Sequence, residues 1–97
     1  MRDLKKITER LWEISTVEGV NHTTFGTIMI LIDYLKDENE KDSDYITEKL
    51  INIRNDVQIA YDIRTENLAK EQALTNLRNS IGTLTMSIGP NGEYKDL

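Results

Sequence analysis

Four side chains in the second half of the chain have the chemistry to bind an anionic aromatic ligand. Arg54 and Tyr61 lie on one face at helical spacing, and we expect Arg64 and Arg78 to lie close to that face. Arginine binds phosphate through two parallel hydrogen bonds, and a tyrosine ring offers a face for stacking. The pattern indicates a nucleotide-type site formed where subunits of an oligomer meet. A half-exposed polar helix face is the alternative, because aspartates interrupt the positive charge.

Carboxylates are concentrated between residues 37 and 48. This segment holds six acids against one lysine, and it accounts for the net charge of −5 because the flanking regions are balanced. Complementary charge mainly accelerates association. We therefore predict a docking surface for a protein partner with a basic surface, although a solvated loop is the alternative. Direct nucleic-acid binding is not expected, since it requires a basic face. The predicted contact residues are Asp37, Glu38, Glu40, Asp42 and Asp44.

Metal and catalytic constellations are weak in this sequence. The acidic segment has the length of an EF-hand loop, but Lys41 and Asp42 stand where that loop needs an oxygen ligand and a glycine. His22 is the only histidine, and there is no cysteine. Asp33 and Asp37 lie one helical turn apart, yet nothing in the sequence indicates burial that would shift either pKa. We expect no metal, no cofactor and no enzymatic activity.

The elements that position these residues are expected to be helices. Neither glycine nor proline occurs between Gly26 and Gly82, a run of about 55 residues. These two residues are the strongest markers of turns, so strands joined by tight turns are disfavoured. The chain is predicted to be a single all-α domain over residues 1–97, folded as a small antiparallel bundle of three or four helices.

Apolar spacing and capping residues set the expected helix bounds. Helices are predicted over about 3–16, 23–37, 43–64 and 65–88, with a mobile tail over 90–97. Side-chain oxygens that can cap the helix starts are provided by Asp3, by Thr23 or Thr24, by Ser43 and by Thr65. The second helix is apolar on most sides, which predicts burial by several neighbours; a buried strand is the alternative there.

The sequence leaves open whether residues 43–88 form one helix or two. Two apolar seams, over residues 46–60 and 74–88, are out of phase with each other. A break near Arg64 explains the change of phase and is favoured. A continuous helix of about 45 residues, roughly 70 Å long, is the alternative.

The size of the chain favours self-association. A domain of 97 residues buries a limited share of its surface, and oligomerisation is a common remedy. We expect a homo-oligomer with residues 74–88 as a contact. The longest apolar run, residues 28–32, is far shorter than the roughly 20 residues that span a bilayer. A cytoplasmic protein without membrane attachment is expected.

These features favour a small, non-enzymatic helical interaction protein that binds and modulates another macromolecule. The heavy use of isoleucine, asparagine and lysine is typical of AT-rich bacterial or phage genomes. This composition suggests an accessory regulator or inhibitor of a phage or mobile element. The alternative function is an oligomeric protein that binds or sequesters a nucleotide-type small molecule.

Overall fold

The computed structural model describes residues 3–95 of the chain, and these residues form an all-α fold. The first helix continues into a π-helical turn over Ile14–Glu18. The predicted all-α class is therefore confirmed. The helices are α1 (Leu4–Glu13), α2 (Phe25–Asp37), α3 (Asp44–Tyr61) and α4 (Asn67–Thr85). Among the described residues, the helices are too short or too polar to cross a bilayer.

One hydrophobic core joins the helices. The residues that the sequence places at helical spacing supply it, and burying each large aliphatic side chain contributes about 1.5–3 kcal/mol. The fully buried large side chains of this core include Leu4, Leu11, Ile14, Ile28, Leu35, Ile46, Ile53, Leu77, Ile81 and Leu84. The apolar seam over residues 74–88, which suggested a subunit contact, is thus largely buried within the chain.

Helix α2 is buried on one face and partly exposed on another. Ile28, Ile32 and Leu35 line its buried face, whereas Ile30 is 52% exposed. The helix packs against α1 and α3, and the tail contacts it through the Tyr94 hydroxyl. Several neighbours therefore cover this helix, as expected, although Ile30 stays exposed. The alternative of a strand is wrong, because residues 25–37 are α-helical.

Two of the expected helix caps are present. The Asp3 side chain accepts a hydrogen bond from the Lys5 amide at 3.0 Å at the start of α1. The Ser43 hydroxyl accepts one from the Ile46 amide at 3.4 Å at the start of α3. Each bond satisfies an amide that has no partner within its helix.

The other two expected caps are different in the structure. Thr24 stands at the cap position of α2, but its hydroxyl donates to the Gly19 carbonyl oxygen at 2.6 Å and makes no capping bond. Thr65 does not cap α4, which begins at Asn67 after Glu66. At Thr24, the α1–α2 connection therefore uses the hydroxyl that a cap would need. Thr65 instead belongs to the α3–α4 connection, where its amide donates to the Asp62 carbonyl at 3.0 Å.

Residues 43–88 form two helices, as favoured by the change of phase. Helix α3 ends at Tyr61 rather than at 64, and α4 ends at Thr85 rather than at 88. The connection is built around Asp62, whose carboxylate accepts a hydrogen bond from the Arg64 amide at 2.9 Å. Because this connection is short and the two helices pack together, α3 and α4 run antiparallel.

The tail, expected to be mobile from residue 90, is packed against the helices over its described part. The Gly92 carbonyl accepts a hydrogen bond from the Leu4 amide at 2.9 Å, and the Tyr94 hydroxyl donates to the Leu35 carbonyl at 2.8 Å. These long-range bonds could not be foreseen from local sequence. Residues 96 and 97 lie outside the described residues.

Candidate functional sites

A groove of about 580 Å³ lies at the end of the bundle where α3 stops; we call it the terminal groove. Its walls come from the α1–α2 connection, the end of α3 and the α3–α4 connection. Phe25 and Tyr61 form part of the lining, with their rings stacked at a centroid distance of 4.2 Å and an interplanar angle of 24°. Stacked rings of this kind provide a flat apolar wall for a planar ligand.

Polar side chains surround that aromatic wall. Arg64, Lys70 and His22 line the terminal groove together with Asp62. The Arg64 guanidinium donates two hydrogen bonds to the Asp62 carboxylate, from Nε to Oδ1 at 3.1 Å and from Nη2 to Oδ2 at 2.8 Å. Hydrogen bonds from the Arg64 side chain and amide lower the pKa of Asp62 to about 2. Asp62 therefore offsets the charge of Arg64, and Lys70 is the other permanent cation of this lining.

The structure brings together only two of the four residues predicted to bind a nucleotide-type ligand. Tyr61 and Arg64 line the terminal groove, but Arg54 lies exposed on α3 outside it. Arg78 faces a different part of the bundle, where its Nε donates to the Ser15 carbonyl oxygen at 3.0 Å. Within one chain Arg78 is thus a structural residue that ties α4 to the π-helical turn.

The acidic segment forms the connection between α2 and α3. Five of its six carboxylates are exposed, and we call four of them, Asp37, Glu40, Asp42 and Asp44, the acidic patch. Glu38 is half-buried instead, and its charge adds to the effect of burial in raising the pKa of Tyr94 above its usual range. The predicted contact residues therefore all lie at or beside the α2–α3 connection, and Glu38 is the one among them whose charge affects Tyr94 of the tail.

Asn39 fixes the shape of this connection. Its Oδ1 accepts a hydrogen bond from the Ser43 amide at 3.1 Å, and its Nδ2 donates to the Thr47 hydroxyl at 3.2 Å. Asp42 adopts a left-handed conformation with φ of 49°, which favours a tight turn. The described residues contain no cluster of His, Cys, Asp and Glu side chains that could hold a metal ion.

A polar groove of about 420 Å³ between α3 and α4 was not foreseen from the sequence; we call it the amide groove. It is lined by Asn52, Asn55, Asp56, Asn76, Asn79 and Ser80. The signal that could have revealed it is a repeat, because the octapeptides Leu50–Val57 and Leu74–Ile81 share the pattern Leu-x-Asn-x-Arg-Asn. A search for catalytic motifs misses such a repeat, since amides are not catalytic groups.

A third groove, of about 400 Å³, is mostly apolar and lies between α1 and α4; we call it the tryptophan groove. Trp12 is 46% exposed beside it, and Gly82 and Thr85 form the part contributed by α4. Because Gly82 has no side chain, α4 is narrow at this point, and the indole ring borders the open space.

Comparison with protein-family models, with curated proteins and with solved structures found no match.

Proposed function

We propose that this chain is a small, non-enzymatic interaction protein that binds a protein partner through the acidic patch and modulates it. The observation that carries the proposal is the placement of four exposed carboxylates on and directly beside a connection whose shape Asn39 fixes. The rest of the chain is close to neutral, so its negative field is concentrated at this end. An accessory role in a phage or mobile element, as regulator or inhibitor, and a cytoplasmic location belong to the same proposal.

The acidic patch is suited to speed recognition. Exposed charges act over a Debye length of about 8 Å at physiological ionic strength, and salt screens them. Complementary patches raise association rates over those of neutral surfaces, while rim charges add little to the final affinity. A partner with a basic surface would therefore be captured quickly, and the capture would depend on ionic strength.

The test compares two variants that carry the same change in net charge. The acidic-patch variant combines Asp37→Asn, Glu40→Gln, Asp42→Asn and Asp44→Asn. The control variant neutralises four exposed acids elsewhere, namely Glu9→Gln, Asp33→Asn, Glu71→Gln and Glu93→Gln. Affinity capture and mass spectrometry identify the proteins that each form retains. The partners sought are those that the native protein and the control retain and the acidic-patch variant does not.

The captured partner is then tested kinetically. Stopped-flow association should be about tenfold slower for the acidic-patch variant at low salt, and the difference should shrink as salt is added. The control should stay within about twofold of the native protein. Equal rates for the two variants, or rates that do not respond to salt, would refute the proposal.

The alternative function, binding of a nucleotide-type small molecule, is favoured by one observation at the terminal groove. The stacked Phe25 and Tyr61 rings lie beside Lys70 and Arg64, so a planar group and an anionic group could be held together. Native mass spectrometry of gently purified protein, compared with the denatured mass, would reveal such a ligand by its weight. Tyr61→Ala and Arg64→Ala should each abolish the added mass while the helical circular dichroism is retained.

A further inference from the structure

The amide groove is made by the two copies of the repeat facing each other. Leu50–Val57 lies on α3 and Leu74–Ile81 on α4, with Leu, Asn, Arg and Asn at equivalent positions. In both copies the aliphatic residues at the fourth and eighth positions are buried in the core. Since the helices are antiparallel, the polar positions of both copies line one groove on the outside of this helix pair.

The polar side chains of this groove have unused hydrogen-bonding capacity. Among the hydrogen bonds between described residues, one engages a side chain of the lining: Asn76 Oδ1 accepts from Gln72 Nε2 at 3.2 Å. The remaining amides, the Ser80 hydroxyl and the Asp56 carboxylate are left to solvent or to a ligand. A cavity of about 420 Å³ falls within the range of small-ligand sites, roughly 300–1,000 Å³.

Asp56 gives the groove its charge. It is half-buried, it is the one ionisable side chain of the lining, and the described residues provide no salt bridge to it. Burial removes water from this carboxylate and provides no partner in its place, which raises the pKa of Asp56. A cationic group that entered the groove would supply the missing partner.

We infer that the amide groove binds a guanidinium group, presented by an arginine side chain of the basic partner. A guanidinium has five N–H donors and no acceptor, and its planar fork matches a carboxylate. Asp56 would take two of these donors, and amide oxygens from both helices would accept others. This inference rests on the proposed function and names the chemistry of the partner.

The position of the groove agrees with a single basic partner. Asp44, Glu48 and Asn52 recur every four residues on α3. At 3.6 residues per turn Asn52 is turned about 80° from Asp44, so the acidic patch and the near edge of the groove lie on adjoining faces of this helix. Asp44 and Asn52 are about 12 Å apart along the helix axis at 1.5 Å per residue. A short basic segment could therefore cross the acidic patch while one arginine entered the groove.

A divalent cation is the less suitable occupant. Calcium takes six to eight oxygen ligands, usually including several carboxylates. The lining of the amide groove offers one carboxylate, and its other oxygens are neutral. Four side-chain amides also present N–H groups, which repel a metal ion but can bind the backbone that carries the arginine.

The inference is tested by following asparagine side-chain amide signals in ¹H–¹⁵N NMR spectra. The probe is N-acetyl-arginine amide, and the matched neutral probe is N-acetyl-citrulline amide. We expect saturable shifts of the Asn52, Asn55 and Asn79 amides with the arginine probe and none with citrulline. Asp56→Asn and, separately, Asn52→Ala should weaken binding at least tenfold, whereas Asp33→Asn should leave it unchanged.

Several outcomes would overturn the inference. The first two are an absence of saturable shifts with the arginine probe and equal shifts with the citrulline probe. The third is a set of EDTA-reversible shifts with calcium chloride that are larger than those with the arginine probe, which would indicate a metal site. The acidic-patch variant should still bind the probe within about twofold, because the probe tests the groove alone. If the acidic-patch variant still binds the partner, the proposed function is refuted. If Asp56→Asn still binds both the arginine probe and the partner, only the guanidinium site is refuted.

Discussion

At the scale of single residues, Gly92 is the position where the fold depends most on the absence of a side chain. It is buried with φ of 78°, and its carbonyl accepts a hydrogen bond from the amide of Leu4. A Cβ atom at this position would lie 2.5 Å from Oδ1 of Asp3, the residue that caps α1. The tail and the first helix are therefore joined at a position whose left-handed backbone and close contact with Asp3 favour glycine.

Gly92→Ala should destabilise the protein by about 2 kcal/mol. The left-handed conformation costs a non-glycine residue roughly 1–2 kcal/mol, and the Asp3 carboxylate would also have to move. Gly26→Ala is the matched control, because nothing lies within 4 Å of its added Cβ in α2. Chemical denaturation should show a loss for Gly92→Ala and no loss for Gly26→Ala; equal stability of the two variants would contradict the argument.

The Asp62–Arg64 pair makes a pH-dependent contribution to stability. The folded pKa of Asp62 is about 2, below the ordinary carboxyl value of about 3.9. A lowered folded pKa stabilises the protein above the unfolded value and loses that effect as pH falls through the folded value. The stabilising window therefore lies above about pH 4, and the loss occurs between about pH 4 and pH 2.

Asp62→Asn should consequently lower the melting temperature at neutral pH and have little effect near pH 2. The amide oxygen can still accept the backbone hydrogen bond, so the variant removes mainly the charge. Asp33→Asn, at an exposed position on α2, serves as the control. Thermal unfolding measured from pH 2 to pH 7 should show the gap closing for Asp62→Asn; a gap independent of pH would rule out the charge effect.

At the scale of elements, the two copies of the repeat on α3 and α4 pack alike towards the core but differ in the contacts of their arginines. Arg54 and Arg78 occupy equivalent positions in the two copies. Arg54 is exposed, whereas Arg78 is half-buried and donates to the Ser15 carbonyl of the π-helical turn. Arg10 reinforces the same turn through its salt bridge with Glu18.

Arg78→Ala should therefore cost about 1.5–3 kcal/mol, the usual value of a hydrogen bond with a charged donor. Arg54→Ala, the equivalent change on α3, should stay within about 0.5 kcal/mol of the native protein, as exposed substitutions do. Denaturant titration measures both. Similar losses for the two variants would show that the contact with Ser15 is not what stabilises this part of the bundle.

At the scale of the whole molecule, α3 separates two surfaces. The acidic patch lies at its beginning and the terminal groove at its end, about 25 Å apart for a helix of 18 residues. The described residues measure 39 × 23 × 18 Å overall. The predicted homo-oligomer remains a proposal, and the apolar surface beside α4 includes the tryptophan groove and the exposed Met86.

If the chain self-associates through this groove, Trp12→Ser should convert the oligomer to a monomer. The contact would lose the largest apolar side chain that borders the groove. Ile30→Ser on α2, where the side chain is 52% exposed, is the control and should leave the assembly intact. Sedimentation equilibrium gives the mass, and small-angle scattering of a monomer should give a radius of gyration near 13.0 Å. A monomer mass for the native protein in sedimentation equilibrium would refute self-association.

The sequence by itself determined the all-α fold, the core positions and the caps at Asp3 and Ser43. Helical spacing and capping act within one or two turns, so local sequence contains the information. It also located the acidic patch, because neighbouring charges share one connection.

The tertiary structure alone decided how distant segments meet. The docking of the tail, the contact of Arg78 with Ser15 and the pairing of Phe25 with Tyr61 join residues far apart in sequence. So does the amide groove, whose halves come from two helices. Such contacts depend on how the packed helices orient their side chains, and helical periodicity does not specify that orientation.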